Sequence, residues 1–468
     1  MASSETVAPL DALRAEIAGD AFGPSDQGYD QARQAWDLAV DQRPAVVVFA
    51  ESVVDIVRAV RFARSHGMRI APQGTGHGAL PLELLSNAML LKTSRMRRVD
   101  VHPAIRMARA EAGAQWEDVS APAGEYGLVA LEGTSPNVGV TGYTLGGGMG
   151  WLARLYGLAA NSVTAVEIVI PDGSLVRADA DHEADIFWAA RGGGGSVGVV
   201  TALEMTLYPV SEVYAGALFF PIERGGEVLH AWRRWTDSVP DELTSSGRLL
   251  RMPPGDEVPE PLRGRAFVAV EAAYVGDAVS GAQLIDPLRQ LGPERDTFAT
   301  IRASTLRQVN MDPEAPMPAV GDGAFLAALP AEAIDTVLAQ VGAAGVQTPL
   351  ASVEIRHLGG ALARAADCAG AQPMIDAQYV ISAAGPAPTP DQADAARSSA
   401  RALKESLTRW HAGYDYYNFL DTPAEAEVVL PRASYERLRK IKATYDPDQA
   451  IISAHPVRPA EASLPPNG

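Results

Sequence analysis

Three glycine clusters between Gly74 and Gly198 constrain this chain more than any other feature: Gly74-Thr75-Gly76-His77-Gly78, the run from Gly142 to Gly150, and the run from Gly192 to Gly198. Glycine adopts positive φ without strain and lets backbone N–H groups approach a ligand closely, so each cluster suits a tight turn or a phosphate cradle. Three in one stretch favour a large phosphate-bearing cofactor over three unrelated turns. Two fit the spacing GxGxxG/A, at Gly74, Gly76, Ala79 and at Gly193, Gly195, Gly198. A nicotinamide-binding Rossmann unit is still disfavoured, because its glycines follow the first strand and open a helix. Gly74 instead follows the second strand and runs into Leu80-Pro81-Leu82.

Local periodicity places the clusters in an α+β chain. Ala45 to Phe49 is a β-branched run, and Ser52 with Asp55 three residues on marks a helix start. Val53, Ile56, Val57, Val60 and Ala63 form that helix's apolar face, Gly67 ends it, and Met68 to Ala71 is the next strand, completing a βαβ unit. The pattern predicts further strands at 89–91, 105–110 and 199–207 and a helix over 115–126. A hairpin over 163–170 and 174–178 turns at Pro171-Asp172-Gly173. Past Pro209, strands near 213–220, 245–252, 265–274, 350–358 and 375–383 alternate with helices near 224–237, 277–291, 330–343 and 388–411. The division expected is a covering segment 1–40, with Leu10, Leu13 and Ile17 at helical spacing, a cofactor domain 41–210, and a substrate domain 211–410. A segment 411–457 returns to the first domain, and a tail 458–468 frays.

Composition narrows the partners. With 39 Lys+Arg against 57 Asp+Glu, the net charge of -18 repels nucleic acid and anionic membranes, so neither is expected. Cys368 is the single cysteine, which excludes an internal disulfide and a multi-cysteine metal centre. His77 has no second histidine or carboxylate at ligand spacing, so no metal is expected. No signal peptide or membrane-length apolar run is visible, and the chain reads as cytoplasmic.

Five motifs then occur in a fixed order from about Arg43 to Val457. They are Arg43-Pro44-Ala45; Pro72-Gln73-Gly74-Thr75-Gly76-His77; Gly133-Thr134-Ser135-Pro136 through Gly146-Gly147-Gly148-Met149-Gly150; Arg191 through Thr201; and Tyr414-Asp415-Tyr416-Tyr417-Asn418-Phe419, followed by Tyr435 to Pro447. In combination the chain resembles the FAD-linked oxidases of the vanillyl-alcohol oxidase and para-cresol methylhydroxylase (PCMH) type, in their berberine-bridge-enzyme-like branch. The resemblance implies a PCMH-type FAD-binding domain of two α+β subdomains and a substrate domain whose antiparallel sheet, flanked by helices, covers the flavin. It implies FAD contacts from Gln73, Gly74, Thr75, Gly76, His77, Gly78, Ser135, Gly139, Thr141, Gly142, Gly146, Gly147, Gly150, Asn161, Gly198, Val200 and Asn418. In such enzymes the histidine matching His77 is bonded to the flavin 8α-methyl carbon. Many relatives add a cysteinyl bond where this chain has Ser135, so a single bond through His77 is expected. Met149, Tyr143 and Ser196 depart from the usual residues and weaken any transfer of a sugar substrate.

Three residues are catalytic candidates. Tyr416 matches a tyrosine that resembles the base of sugar-oxidising relatives. A free phenol has a pKa of about 10, so it accepts a proton at neutral pH only beside positive charge or hydrogen-bond donors, and the sequence names no source. The alternative for Tyr414, Tyr416 and Tyr417 is an aromatic packing interface. Glu354 shares a strand face with Arg356, opposite Val353, Ile355 and His357, and the pair either orients a polar substrate or forms a solvated face. Tyr143 is the other aromatic candidate, whereas Trp232 and Trp235 read as packing. The readings carried forward are an oxidase acting beside an alcohol or amine of a small molecule with dioxygen as acceptor, an oxidative cyclase or oxygenating flavoenzyme, and a non-catalytic flavin-binding protein. Oligomeric state is not legible.

Overall fold

The computed structural model describes residues 10–82, 85–256, 258, 260–342 and 345–461. The expectations for residues 1–9, 343 and 462–468 lie outside that range. The first sheet contains β1 (Asp20–Phe22), β2 (Val46–Phe49), β3 (Arg69–Gln73) and β4 (Ala88–Lys92), in the order β1-β2-β4-β3. Strands β2, β4 and β3 run parallel. The helix Val53–Ser65 connects β2 to β3 and starts as the sequence predicts, with Ser52 accepting a hydrogen bond from the Asp55 N–H at 3.2 Å. The buried Asp55 carboxylate also accepts from the N–H groups of Ala18, Gly19 and Glu51, tying the N-terminal segment to this helix.

The second sheet is antiparallel: β5 (Val99–His102), β6 (Met107–Glu111), β7 (Val163–Val169), β8 (Leu175–Asp179) and β9 (Val199–Thr206), ordered β5-β6-β9-β7-β8. The strand expected over 105–110 is shorter and has a partner that the sequence reading missed. Pro103 cannot donate to a ladder, and Pro103–Ile105 form a tight turn that joins β5 to β6.

The third sheet is wholly antiparallel and contains β10 (Glu212–Pro221), β11 (Leu243–Arg251), β12 (Ala266–Tyr274), β13 (Arg295–Asp296), β14 (Ala299–Arg302), β15 (Ala319–Leu326), β16 (Ser352–His357) and β17 (Tyr379–Pro386). Its order is β13-β10-β12-β11-β16-β17-β15, with β14 also on β10. One face is apolar and buried under the helices Gly225–Thr236, Ala278–Arg289, Ala331–Val337 and Pro390–Ser406, through residues such as Leu229, Trp232, Ile285, Ile334 and Leu403. Trp232 packs fully buried there and donates to Ser245 Oγ at 3.1 Å. Strand β15 carries no local signal, because its Gly321-Asp322-Gly323 centre is poor strand composition. A Cβ at Gly323 would lie 2.8 Å from Phe419 Cβ, so the small residue admits the C-terminal segment against the sheet.

That segment then returns to the first sheet: Ile70 N–H donates to Ala450 O at 2.7 Å and Ile452 N–H to Ile70 O at 2.8 Å. The helix Arg432–Tyr445 carries Lys442, 2% exposed, whose ammonium reaches Asp446 at 2.5 Å, Ser196 O at 2.6 Å and Ile451 O at 3.3 Å. One buried cation therefore ties the third glycine cluster to the C-terminal return. Removing one partner of such a pair strands the other charge, so Lys442→Met should cost about 3–5 kcal/mol. The check is the unfolding temperature of the holoprotein followed by circular dichroism, which falls well below that of the wild type.

Candidate functional site

The glycine-rich loops of the first two sheets and the open face of the third enclose a cavity of about 1160 Å³. Ordinary small-molecule pockets hold about 300–1,000 Å³, so there is room for a large cofactor together with a substrate. Of the residues implicated from the sequence, Gln73 through Gly78, Ser135, Gly139, Thr141, Gly142, Gly198, Val200 and Asn418 line the cavity, as do Tyr143, Glu354 and Tyr416.

Four residues do not line it. Gly146 lies under Asn418, where a Cβ would come 2.0 Å from the Asn418 amide oxygen, so it makes room for that side chain. Gly150 packs on the Glu132 carbonyl, and Gly147 faces Leu158 and Gln372. Asn161 turns away toward 370–373, with its amide 3.5 Å from both Gly370 N and Pro373 O. These positions support the cradle from behind. Cys368 is exposed and outside the wall. Among the described residues no cluster of His, Cys, Asp or Glu is placed to hold a metal ion.

The wall fits FAD on its own chemistry. Side chains added at Gly78 or Gly142 would meet nothing within 4 Å, because both glycines face open space. Gln73 Oε1, His77 Nε2 and Thr141 Oγ1 are buried without a hydrogen-bond partner in the protein. Such orphans need a partner, and a polar cofactor lying along the glycines supplies one. His77 is confined although glycines flank it on both sides. Its ring stacks on Trp36 at 4.0 Å between centroids, and burial pulls its pKa down to about 4, with the Asn137 side chain opposing.

The opposite wall is a buried charge network on the third sheet. Arg248 on β11 stands directly across from Glu354 on β16, and Ser246 across from Arg356. Arg356 grips Glu354 Oε1 through Nε at 2.9 Å and Nη2 at 2.8 Å, and donates to Met149 O at 2.9 Å. Arg248 contacts Glu271 at 2.9 Å and Asp312 at 3.7 Å. Burial opposes both guanidinium charges, but the carboxylates outweigh it and raise the two arginine pKa values. Glu271, fully enclosed, is pushed by burial up to about 7 against the pull of Arg248. The Glu354–Arg356 pair is thus part of the cavity wall and not a solvated face.

The aromatic candidates separate. Asn418 Nδ2 donates to Tyr416 Oη at 3.2 Å and to the Tyr143 carbonyl at 3.0 Å. Burial pushes the Tyr416 phenol up to about 12, although Asn418 and the charge of Arg356 both act the other way. Arg356 is the positive neighbour the sequence did not disclose. The Tyr143 hydroxyl is buried without a partner and its pKa is driven well up by burial. Tyr414 accepts from Asp376 N–H, and Tyr417 donates to Gly194 O at 3.3 Å. Sequence reasoning missed Trp36, Arg248 and Asp312. An arginine within the strand expected near 245–252 was the available signal for Arg248.

Comparison with known proteins agrees with this geometry. The family described as FAD binding domain matches residues 44–179. The uncharacterized FAD-linked oxidoreductase YgaK of Bacillus subtilis (strain 168) is 28% identical over 472 residues, covering 96% of this chain and 99% of that protein. The (R)-6-hydroxynicotine oxidase of Paenarthrobacter nicotinovorans is 32% identical over 206 residues, 44% of each chain. In fold, the BBE-like 1 structure from Physcomitrella patens superposes with a TM-score of 0.84 at 19% identity, covering 97% of this chain and all of that one. Among the described residues no helix is long and apolar enough to cross a membrane. The Bacillus match and the structural match both run the length of the molecule: the chain carries an FAD-binding domain over residues 44–179, has the PCMH-type fold of the BBE-like structure, and is an FAD-dependent oxidoreductase.

Proposed function

We propose that the protein is an oxidase that takes a hydride from a C–H bond next to an alcohol or amine of a small molecule and passes the electrons to dioxygen as hydrogen peroxide, with FAD held by a single bond through His77. The observation that carries this reading is the continuity of one cavity from the glycine cradle and His77 to the Glu354–Arg356 pair. FAD supplies the hydride acceptor; the chain orients the substrate and manages its proton.

Among the described residues Arg356 engages Oε1 of Glu354, while Oε2 accepts no hydrogen bond. We therefore assign Glu354 as the acceptor of the substrate proton. Tyr416, its phenol held protonated at neutral pH, donates a hydrogen bond to the substrate oxygen or nitrogen. Arg356 fixes the Glu354 rotamer, and Asn418 fixes the Tyr416 hydroxyl at 3.2 Å. Closing the third sheet over the cradle excludes water from these groups and strengthens their electrostatics. The relative named for hydroxynicotine oxidation favours including amines among the substrates.

The test is peroxide release in air from a panel of small alcohols, amines and sugars, run beside flavin bleaching under nitrogen. A substrate that bleaches the flavin and yields one peroxide per turnover is expected. A substrate that bleaches it under nitrogen but yields no peroxide in air makes the protein a dehydrogenase and overturns the acceptor assignment.

A further inference from the structure

The guanidinium of Arg248 has one edge without an acceptor. The residue is 6% exposed, lines the cavity and stands directly across from Glu354 in the register of β11 and β16. Its Nη1 donates to Glu271 Oε1 and to the Asn310 carbonyl, each at 2.9 Å. Nε is buried with no hydrogen-bond partner among the described residues, and Asp312 Oδ1 stands 3.7 Å from Nη2, beyond hydrogen-bond reach. Nε and Nη2 form the same edge through which Arg356 grips Glu354 on the next strand; it is the fork that suits oxygen acceptors. The carboxylates nearby are engaged elsewhere. Asp312 Oδ2 accepts from Thr134 Oγ1 at 3.1 Å, and Glu271 Oε2 from Ser246 Oγ at 3.0 Å. A charged donor left unpartnered in a buried wall is unfavourable, so the open edge calls for an acceptor carried by whatever enters the cavity.

The charge around Arg248 decides what kind of acceptor fits. Glu271, Asp312 and Glu354 already act on its positive charge. A further anion would meet the repulsion of these carboxylates in a poorly screened wall, whereas an uncharged oxygen gains the donor without that repulsion. Directly opposed residues on antiparallel strands hold their Cβ atoms about 4.5–5.5 Å apart, so the open edge of Arg248 and the free Oε2 of Glu354 are spaced for two neighbouring groups of one small molecule. Resting on the assignment of Glu354 to the substrate proton, we propose that Arg248 is a specificity-determining residue: it donates to a hydroxyl, ether or carbonyl oxygen on the carbon next to the one oxidised. Plain alkyl amines and alcohols lack that oxygen and leave the guanidinium edge unpaired, so the site discriminates against them. The substrate class narrows from any small alcohol or amine to one that bears a neighbouring uncharged oxygen.

The test uses the holoprotein under nitrogen with two shape-matched pairs, methoxyethanol against butanol and methoxyethylamine against butylamine, in which an ether oxygen replaces a methylene. Binding is read from the perturbation of the flavin absorption band, and reduction from its bleaching. The methoxy member of each pair should bind about 10–100-fold more tightly, as for one hydrogen bond from a charged donor. In Arg248→Lys, which keeps a cation beside Glu271 but has no fork, the ratio of the two dissociation constants should fall toward one. The ratio is taken between two molecules on one protein, so a general structural defect cancels. If Arg248→Lys does not retain flavin, the double variant Arg248→Met, Glu271→Gln, which removes both charges of the buried pair, reads the same ratio. Methoxy compounds that do not bind, equal affinity within each pair as when water fills the edge, a ratio unchanged in the variant, or butyrate binding more tightly than the methoxy compounds overturns this inference. Methoxy compounds that bind with the expected preference but do not bleach the flavin overturn the oxidase reading and leave the Arg248 contact standing.

Discussion

In His77→Ala the yellow chromophore should leave completely with the supernatant of an acid precipitation, whereas in the wild type it stays with the pellet. Only a covalent bond survives loss of the fold, so the partition reads the bond directly. The cradle itself should persist in the variant. Gly74, Gly78, Thr141 and Gly142 still line the cavity, and none depends on the imidazole for its position. His77→Ala is therefore expected to purify with non-covalent FAD when FAD is supplied. Loss of the electron-withdrawing substituent lowers the flavin potential, so substrate-driven bleaching should slow. If wild-type flavin also enters the supernatant, the single bond is wrong while the oxidoreductase assignment is untouched.

Glu354→Gln should lower kcat by about 10²–10⁴, the range for losing a general base, with the flavin spectrum and covalent fraction unchanged. The substituted amide preserves shape and keeps a hydrogen-bond acceptor for Arg356, but it no longer takes up a proton. Tyr416→Phe should cost about tenfold, since it removes a hydrogen bond and not the proton acceptor. The reverse ranking, with Tyr416→Phe the more damaging, would return the role of base to the phenol. That outcome would require the bound complex to lower a phenol pKa that burial pushes up to about 12. Rapid mixing under nitrogen, which isolates flavin reduction from its reoxidation, is the measurement that separates the two.

The helix over Val53–Ser65 and the helices and strands of 211–410 were largely legible, because amphipathic period and capping are local properties of adjacent residues. Strand β15 was not, since Gly321 and Gly323 are chosen for what packs on them: a strand partner and Phe419, both far along the chain. Likewise Gly146 and Gly150 were visible as glycines, but not as spacers for Asn418 and the Glu132 carbonyl. The sequence could place Glu354 and Arg356 on one face. It could not say whether that face met solvent or a cavity.

By itself, then, the sequence determined the class of fold and the cofactor, because these depend on ordered motifs whose residues are neighbours along the chain. Only the tertiary structure decided which glycines touch the cavity and which support it, and that Trp36 and Thr75 confine the His77 ring. It alone brought Arg356 and Glu354 within 2.8 Å on the wall facing Tyr416. The physical reason is that burial and charge compensation are sums over every element packed around a group. The protonation of Tyr416 and the charge of Arg248 are set by strands and loops far apart in sequence, and no local pattern encodes their meeting.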